Sequence, residues 1–316
     1  MKNIILLDFD GTITSHDTIN IIASLATARN PRAGPIWDDI VTKYVADHAD
    51  HLSSYKPEAC DRTTLTQELE YLASLGSVEQ KSVERVAGLG VFAAIPGEEF
   101  RAFGEKIVDR GESETGAKGG GVAVHGDEDG EAEAAEKVKL RRGLHGFLDW
   151  AGKRGWEFGV VSVNWSREFI EGVLLDREEE LGGGRRIKAN SINWPAGRVE
   201  GYEQDKKVLM TVEDKVRAMR DLVVEIKGEG GQEEEGERNK GKVVYFGDST
   251  TDIGCLIEAD LGVVMADEDG SKLLKTLRRV GMEVAHVKDF KGKKGLVWAR
   301  DFEEVLESRV MERLEG

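Results

Sequence analysis

Two carboxylates two residues apart, Asp8 and Asp10, follow the apolar run Ile4 to Leu7 in the stretch Asp8-Phe9-Asp10-Gly11-Thr12. A strand ending there carries both acids to the carboxyl edge of a sheet, where open α/β sheets hold their ligands. One carboxylate can then attack while the other moves protons. Acidic turns and calcium loops share this look, but a calcium loop needs an oxygen ligand near Ile13. A second acidic pair lies in Gly247-Asp248-Ser249-Thr250-Thr251-Asp252, directly after Val243-Val244-Tyr245-Phe246. Here a glycine turns the chain and aims two carboxylates at one point. Helix capping by Ser249 or Asp252 explains one of these residues, not both acids behind an apolar strand. Ser162 closes a third run, Val160-Val161-Ser162, with no Gly-x-Ser-x-Gly elbow. Its hydroxyl therefore suits phosphate binding better than attack, unless it is an ordinary strand-end serine. Lys215 opens a helical pattern after Glu213-Asp214, and could bring an ammonium to the same edge. Lys206 and Lys207 are rivals for that role.

The elements that must position these groups are readable from hydrophobic pattern. Residues 3–7, 157–161, 242–246, 261–265 and, more faintly, 284–287 are short continuous apolar runs, as strands covered on both faces should be. Between them lie helical patterns such as Leu144, Phe147, Leu148 and Ala151, and Val216, Met219, Leu222 and Ile226. Strands alternating with helices predict an α/β fold with a Rossmann-like parallel sheet. Residues from about Ile19 to Val108 break the rhythm with successive amphipathic helices, including Leu65, Leu69 and Leu72, then Val83 and Val86. They read as a smaller helical domain inserted after the first strand.

Taken in chain order, the segments around Asp8, Ser162, Lys215 and Asp248 resemble the four motifs of the haloacid dehalogenase superfamily. The resemblance covers residues 1–14 and about 140–316, the expected catalytic core, and makes residues 15–139 an inserted helical cap. The run from Asp8 to Ile22 is most similar to the phosphoserine phosphatase-like branch, which carries its cap in that place. The resemblance implies a phosphatase acting on a small-molecule phosphomonoester with Mg²⁺ as cofactor. Asp8 would be the nucleophile and Asp10 the general acid and base. Asp8, the Asp10 carbonyl and Asp248 would hold the metal, with Asp252 orienting its bound water. Ser162 and the Val163 N–H would hold the phosphoryl group, Lys215 would offset its charge, and Thr12, Asp17 and Asn164 would face the substrate. Gly11 stands where the branch usually has serine, and Val163-Asn164 stand where it has glycines. Asp17 takes the place of a glutamate, which implies a wider pocket and a small polar ester larger than phosphoserine. Asp17 also suits a helix N-cap before Thr18-Ile19. Two other classes keep this fold: a catalytically idle binding or regulatory protein, and a hydrolase of C–halogen or C–P bonds.

Composition narrows the remaining classes. The 316 residues carry 44 Lys+Arg against 60 Asp+Glu, a net charge of −16, which disfavours a nucleic-acid partner. Residues 111–137 and 228–241 hold −6 and −3 of that charge in Gly- and Glu-rich stretches without an aromatic, and are expected to be disordered. No apolar run approaches the roughly 20 residues of a membrane helix. The start of the chain, broken by Asp8 and Asp10, does not read as a signal peptide. Two cysteines, Cys60 and Cys255, make no disulfide framework. A cytoplasmic location follows as the expectation.

Overall fold

The computed structural model describes residues 2–109, 137–203, 206–228 and 241–315. The two stretches expected to be disordered, 111–137 and 228–241, lie outside the described residues except at their ends. The central sheet has seven strands: β1 (Ile4–Leu7), β2 (Glu157–Val161), β3 (Ile187–Lys188), β4 (Val243–Gly247), β5 (Leu261–Met265), β6 (Val284–His286) and β7 (Gly295–Ala299). Their order is β6-β7-β5-β4-β1-β2-β3, and every pairing is parallel. The expected α/β class with a Rossmann-like parallel core is therefore what the chain adopts. All of β1 and β5 is buried, because helices cover both faces of the sheet.

Five α-helices lie between β1 and residue 109: α1 (Ile19–Arg29), α2 (Ala33–Ser54), α3 (Leu65–Ser74), α4 (Gly76–Leu89) and α5 (Gly97–Ile107). The chain leaves and re-enters the core at one place, where Thr14 bridges Leu140. After it come α6 (Leu144–Lys153), α7 (Arg167–Val173), α8 (Val212–Gly228) and α9 (Ile253–Glu258). The helix α5 is pinned to α7 through two glycines. A Cβ on Gly104 would lie 2.4 Å from the Phe169 carbonyl oxygen, and one on Gly172 would lie 2.0 Å from that of Arg101. Only hydrogen at both positions permits so close an approach.

Two strands were not legible by pattern. The two residues of β3 are too few to show a period, and β7 follows the charged run Lys291, Lys293, Lys294, which disguises its start.

Candidate active site

Strands β4, β1 and β2 are neighbours, so their carboxyl ends deliver Asp248, Asp8 and Ser162 side by side. The strand order reverses between β1 and β4, since the chain first builds outward through β2 and β3 and then returns to the other side of β1. A crevice opens at such a switch point. Lys215 reaches the same edge from the first turn of α8.

The ammonium of Lys215 is fully buried between two carboxylates, 2.9 Å from Asp8 Oδ1 and 2.6 Å from Asp252 Oδ1. Its pKa is held above the ordinary lysine value: burial alone would lower it, and the two acids override that. Asp252 is fully engaged. Its Oδ1 also accepts the Tyr245 hydroxyl at 2.8 Å, and its Oδ2 accepts the Ser249 N–H and hydroxyl, each at 3.0 Å. Capping and charge placement are thus one arrangement at Asp252. Lys206 pairs instead with Glu200 and Lys207 with Asp214, away from Asp8.

Three carboxylates, those of Asp8, Asp248 and Asp252, bring oxygens within 4.8 Å of one another. Burial, then the Asp252 charge, pushes Asp8 well above the usual carboxylate range, and the same two causes push Asp248 up to about 7. One lysine does not offset three acids in so dry a place. A hard divalent cation between Asp8 and Asp248 fits this donor set, and Asp252 is already committed to Lys215 and Tyr245. Gly11 is part of the same packing. It has φ of 73°, and a Cβ there would fall 2.2 Å from Asp248 Oδ2. A side chain at this position would be strained at that φ and would crowd the Asp248 carboxylate.

Asp10 stands apart from this cluster in its partners. Thr18 donates its N–H and hydroxyl to Asp10 Oδ1 at 2.8 and 2.6 Å, and Asn164 Nδ2 donates to Asp10 Oδ2 at 2.8 Å. Burial, then the charge of Asp17, raises the Asp10 pKa to about 6 against these hydrogen bonds. A carboxyl raised toward neutrality is better suited to give and take protons than an ordinary one.

The other expected site residues fall as follows. Ser162 is buried, lines the crevice and accepts the Asn164 N–H at 3.1 Å. Val163 lines the crevice beside it. Asn164 holds Asp10 and Thr18 with its amide nitrogen, and its oxygen accepts the Ser166 N–H at 3.0 Å. Thr12 is buried and donates to Asp248 Oδ1 at 3.1 Å. Thr12 thus has a protein partner and does not line the cavity, whereas Asn164 holds Asp10 and also lines the cavity. Asp17 is exposed, lines the cavity, and accepts the Ile19 N–H at 2.8 Å at the start of α1.

Several residues were missed by sequence reasoning. Thr18 was legible only as a helix start, though its spacing of eight from Asp10 is what lets it fold back. Tyr245 looked like strand filling. Arg141 is buried and donates to the Gly11 and Arg300 carbonyls and to Asp267, bracing the turn after Asp8. Nothing in the local pattern marks it.

No family model matches the chain. It is 26% identical over 319 residues to Cold tolerance protein 1 of Saccharomyces cerevisiae, covering 94% of this chain and 90% of that one. A CTO1 family protein of Schizosaccharomyces pombe is 25% identical over 270 residues, covering 82% and 80% respectively. Among solved structures, a substrate-bound phosphoserine phosphatase complex is similar at 16% identity with a TM-score of 0.48, over 97% of this chain and 98% of that one. No helix among the described residues is long and apolar enough to cross a membrane.

Proposed function

We propose that this protein is a Mg²⁺-dependent phosphatase of the haloacid dehalogenase superfamily that hydrolyses a small-molecule phosphomonoester through a phosphorylated Asp8. The observation that carries the reading is the placement of two neighbouring aspartates in different surroundings. Asp8 lies in an acid-rich, metal-suited cluster beside Lys215, and Asp10 lies in a separate hydrogen-bond cradle. In the first half-reaction an Asp8 oxygen attacks phosphorus as the bond to the alcohol oxygen breaks, and Asp10 gives that oxygen its proton. In the second, Asp10 takes a proton from water as the water oxygen attacks phosphorus and the bond to Asp8 breaks. Phosphate leaves, and Asp8 and Asp10 return to their starting states.

Lys215 keeps Asp8 oriented and offsets charge as the phosphoryl group approaches, while Ser162 and the Val163 N–H receive a phosphoryl oxygen. Asp8, the Asp10 carbonyl and Asp248 would hold Mg²⁺, which supplies the remaining positive charge when bound. The helices of residues 15–139 act as a cap over this edge. A dehalogenase has no use for the cradled acid at Asp10, which favours the phosphatase over that alternative. The test is phosphate release from p-nitrophenyl phosphate by the full chain with Mg²⁺ and with a chelator. The reading expects turnover only with the metal. Metal-independent turnover, or none on any phosphoester, contradicts it.

A further inference from the structure

The crevice at the sheet edge continues into a cavity of about 510 Å³ whose far walls come from α2 and α4. The helix α2 turns Trp37, Val41, Tyr44 and Val45 toward it, residues spaced to share one helical face. Val41 and Val45 are 37% and 60% exposed, so this face is apolar yet not covered by protein. Among the described residues that line the cavity, none is Lys, Arg or His. The acids beyond the catalytic cluster are Asp17 and Glu79, and Tyr44 donates its hydroxyl to Glu79 Oε1 at 2.8 Å. The chamber is therefore broader and more apolar than a small polar ester requires.

Resting on the phosphatase reading, we propose that this chamber selects phosphomonoesters whose alcohol carries an apolar segment ending in a hydrogen-bond donor, a protonated amine above all. It rejects those whose alcohol carries a second acid. The apolar segment lies along Val41 and Val45, gaining from each group removed from water. The donor meets Glu79, which Tyr44 holds in place. An acidic terminus would meet Glu79 and Asp17 with no cation to offset it, and specificity often rests on such a repulsive element.

Three esters of one chain length separate the ideas: aminohexyl, hexyl and carboxypentyl phosphate, assayed with the full chain and Mg²⁺. The expected order of kcat/KM is amine, then alkyl, then acid, with the amine ahead of the acid by at least about tenfold. In Glu79→Gln the ratio of amine to acid should fall at least about fivefold, and in Val45→Arg the acid should gain on the amine by a similar factor. Ratios within one variant are insensitive to partial unfolding, since both substrates see the same active fraction. An acid ester turned over as well as the amine, or ratios unmoved in both variants, overturns the proposal. Should p-nitrophenyl phosphate and all three esters resist hydrolysis, the phosphatase reading falls by itself. Calorimetric binding of the three esters to the wild-type chain then decides the selectivity by the same order.

Discussion

The sheet edge and the chamber beyond it are built in opposite ways. At the edge, nearly every polar atom answers to another element: Lys215 lies between Asp8 and Asp252, Asp252 is held by Tyr245 and Ser249, and Asp10 by Thr18 and Asn164. In the chamber, apolar side chains of α2 stand partly bare, with one buttressed acid at Glu79. The difference separates chemistry from choice. On the proposed function, groups that meet reacting atoms are fixed by mutual constraint, whereas groups that select the substrate leave surface for it to cover. Changes at the edge should be costly in activity or stability, and changes in the chamber should alter preference with little effect on the fold.

The strongest way to break this comparison is Asp8→Asn, which keeps shape and removes the proposed nucleophile. Turnover should fall by at least about a thousandfold, with the melting temperature near wild type. Steady-state kinetics and circular dichroism on one sample check both halves. Next comes Lys215→Met, which leaves Asp8 and Asp252 facing each other in a dry site. Urea denaturation should show a loss of about 3–5 kcal/mol. A loss no larger than that of a surface substitution would mean the edge is not built on mutual constraint.

A pH effect sharpens the same point at Asp214, the residue before Lys215. Its burial would raise the pKa, but bonds from Lys207, Thr211, the Met210 N–H and Arg217 hold it down at about 2. A carboxyl depressed on folding adds stability above its unfolded pKa near 4, and that stability disappears as pH falls toward 2. Asp214→Asn should therefore cost about 1–2 kcal/mol at neutral pH, discounted for its exposed basic partners, and progressively less as pH falls through 4 toward and below 2. Denaturation series at several pH values would show the two curves converging in acid. The smallest effect belongs to the chamber. Val45→Ala should move stability by no more than about 0.5 kcal/mol, as at any exposed site, while changing KM for esters with apolar alcohols.

What was legible in the sequence divides along the same line. Strands that are continuous apolar runs, such as Ile4–Leu7 and Leu261–Met265, announce themselves, and so do acids placed directly after them. Sequence order also brought Asp8, Ser162 and Asp248 together, because a parallel sheet puts every strand end at one edge. The choice of Lys215 over Lys206 needed the structure, since all three lysines lie near one another in sequence and only the helical turn sends Lys215 under Asp8. Arg141 was invisible because it acts across the fold on Gly11. Thr18 and Tyr245 read only as a helix start and strand filling, because the hydroxyl bonds to Asp10 and Asp252 leave no mark on pattern. The walls of the chamber were hidden for another reason. Trp37, Tyr44 and Val45 look like any apolar face of a helix, and a sequence does not distinguish a face that meets protein from one that meets a cavity.

The claim on which the rest depends is that Asp8 itself carries the phosphoryl group. The direct measurement is mass spectrometry of acid-quenched enzyme, mixed with Mg²⁺ and a phosphoester under turnover and then digested. The account predicts one added phosphoryl group on the peptide containing Asp8, lost on base treatment as an acyl phosphate would be, and absent from Asp8→Asn. Turnover with that peptide always unmodified, or a phosphoryl group found on Asp10 or Ser162 instead, would contradict it.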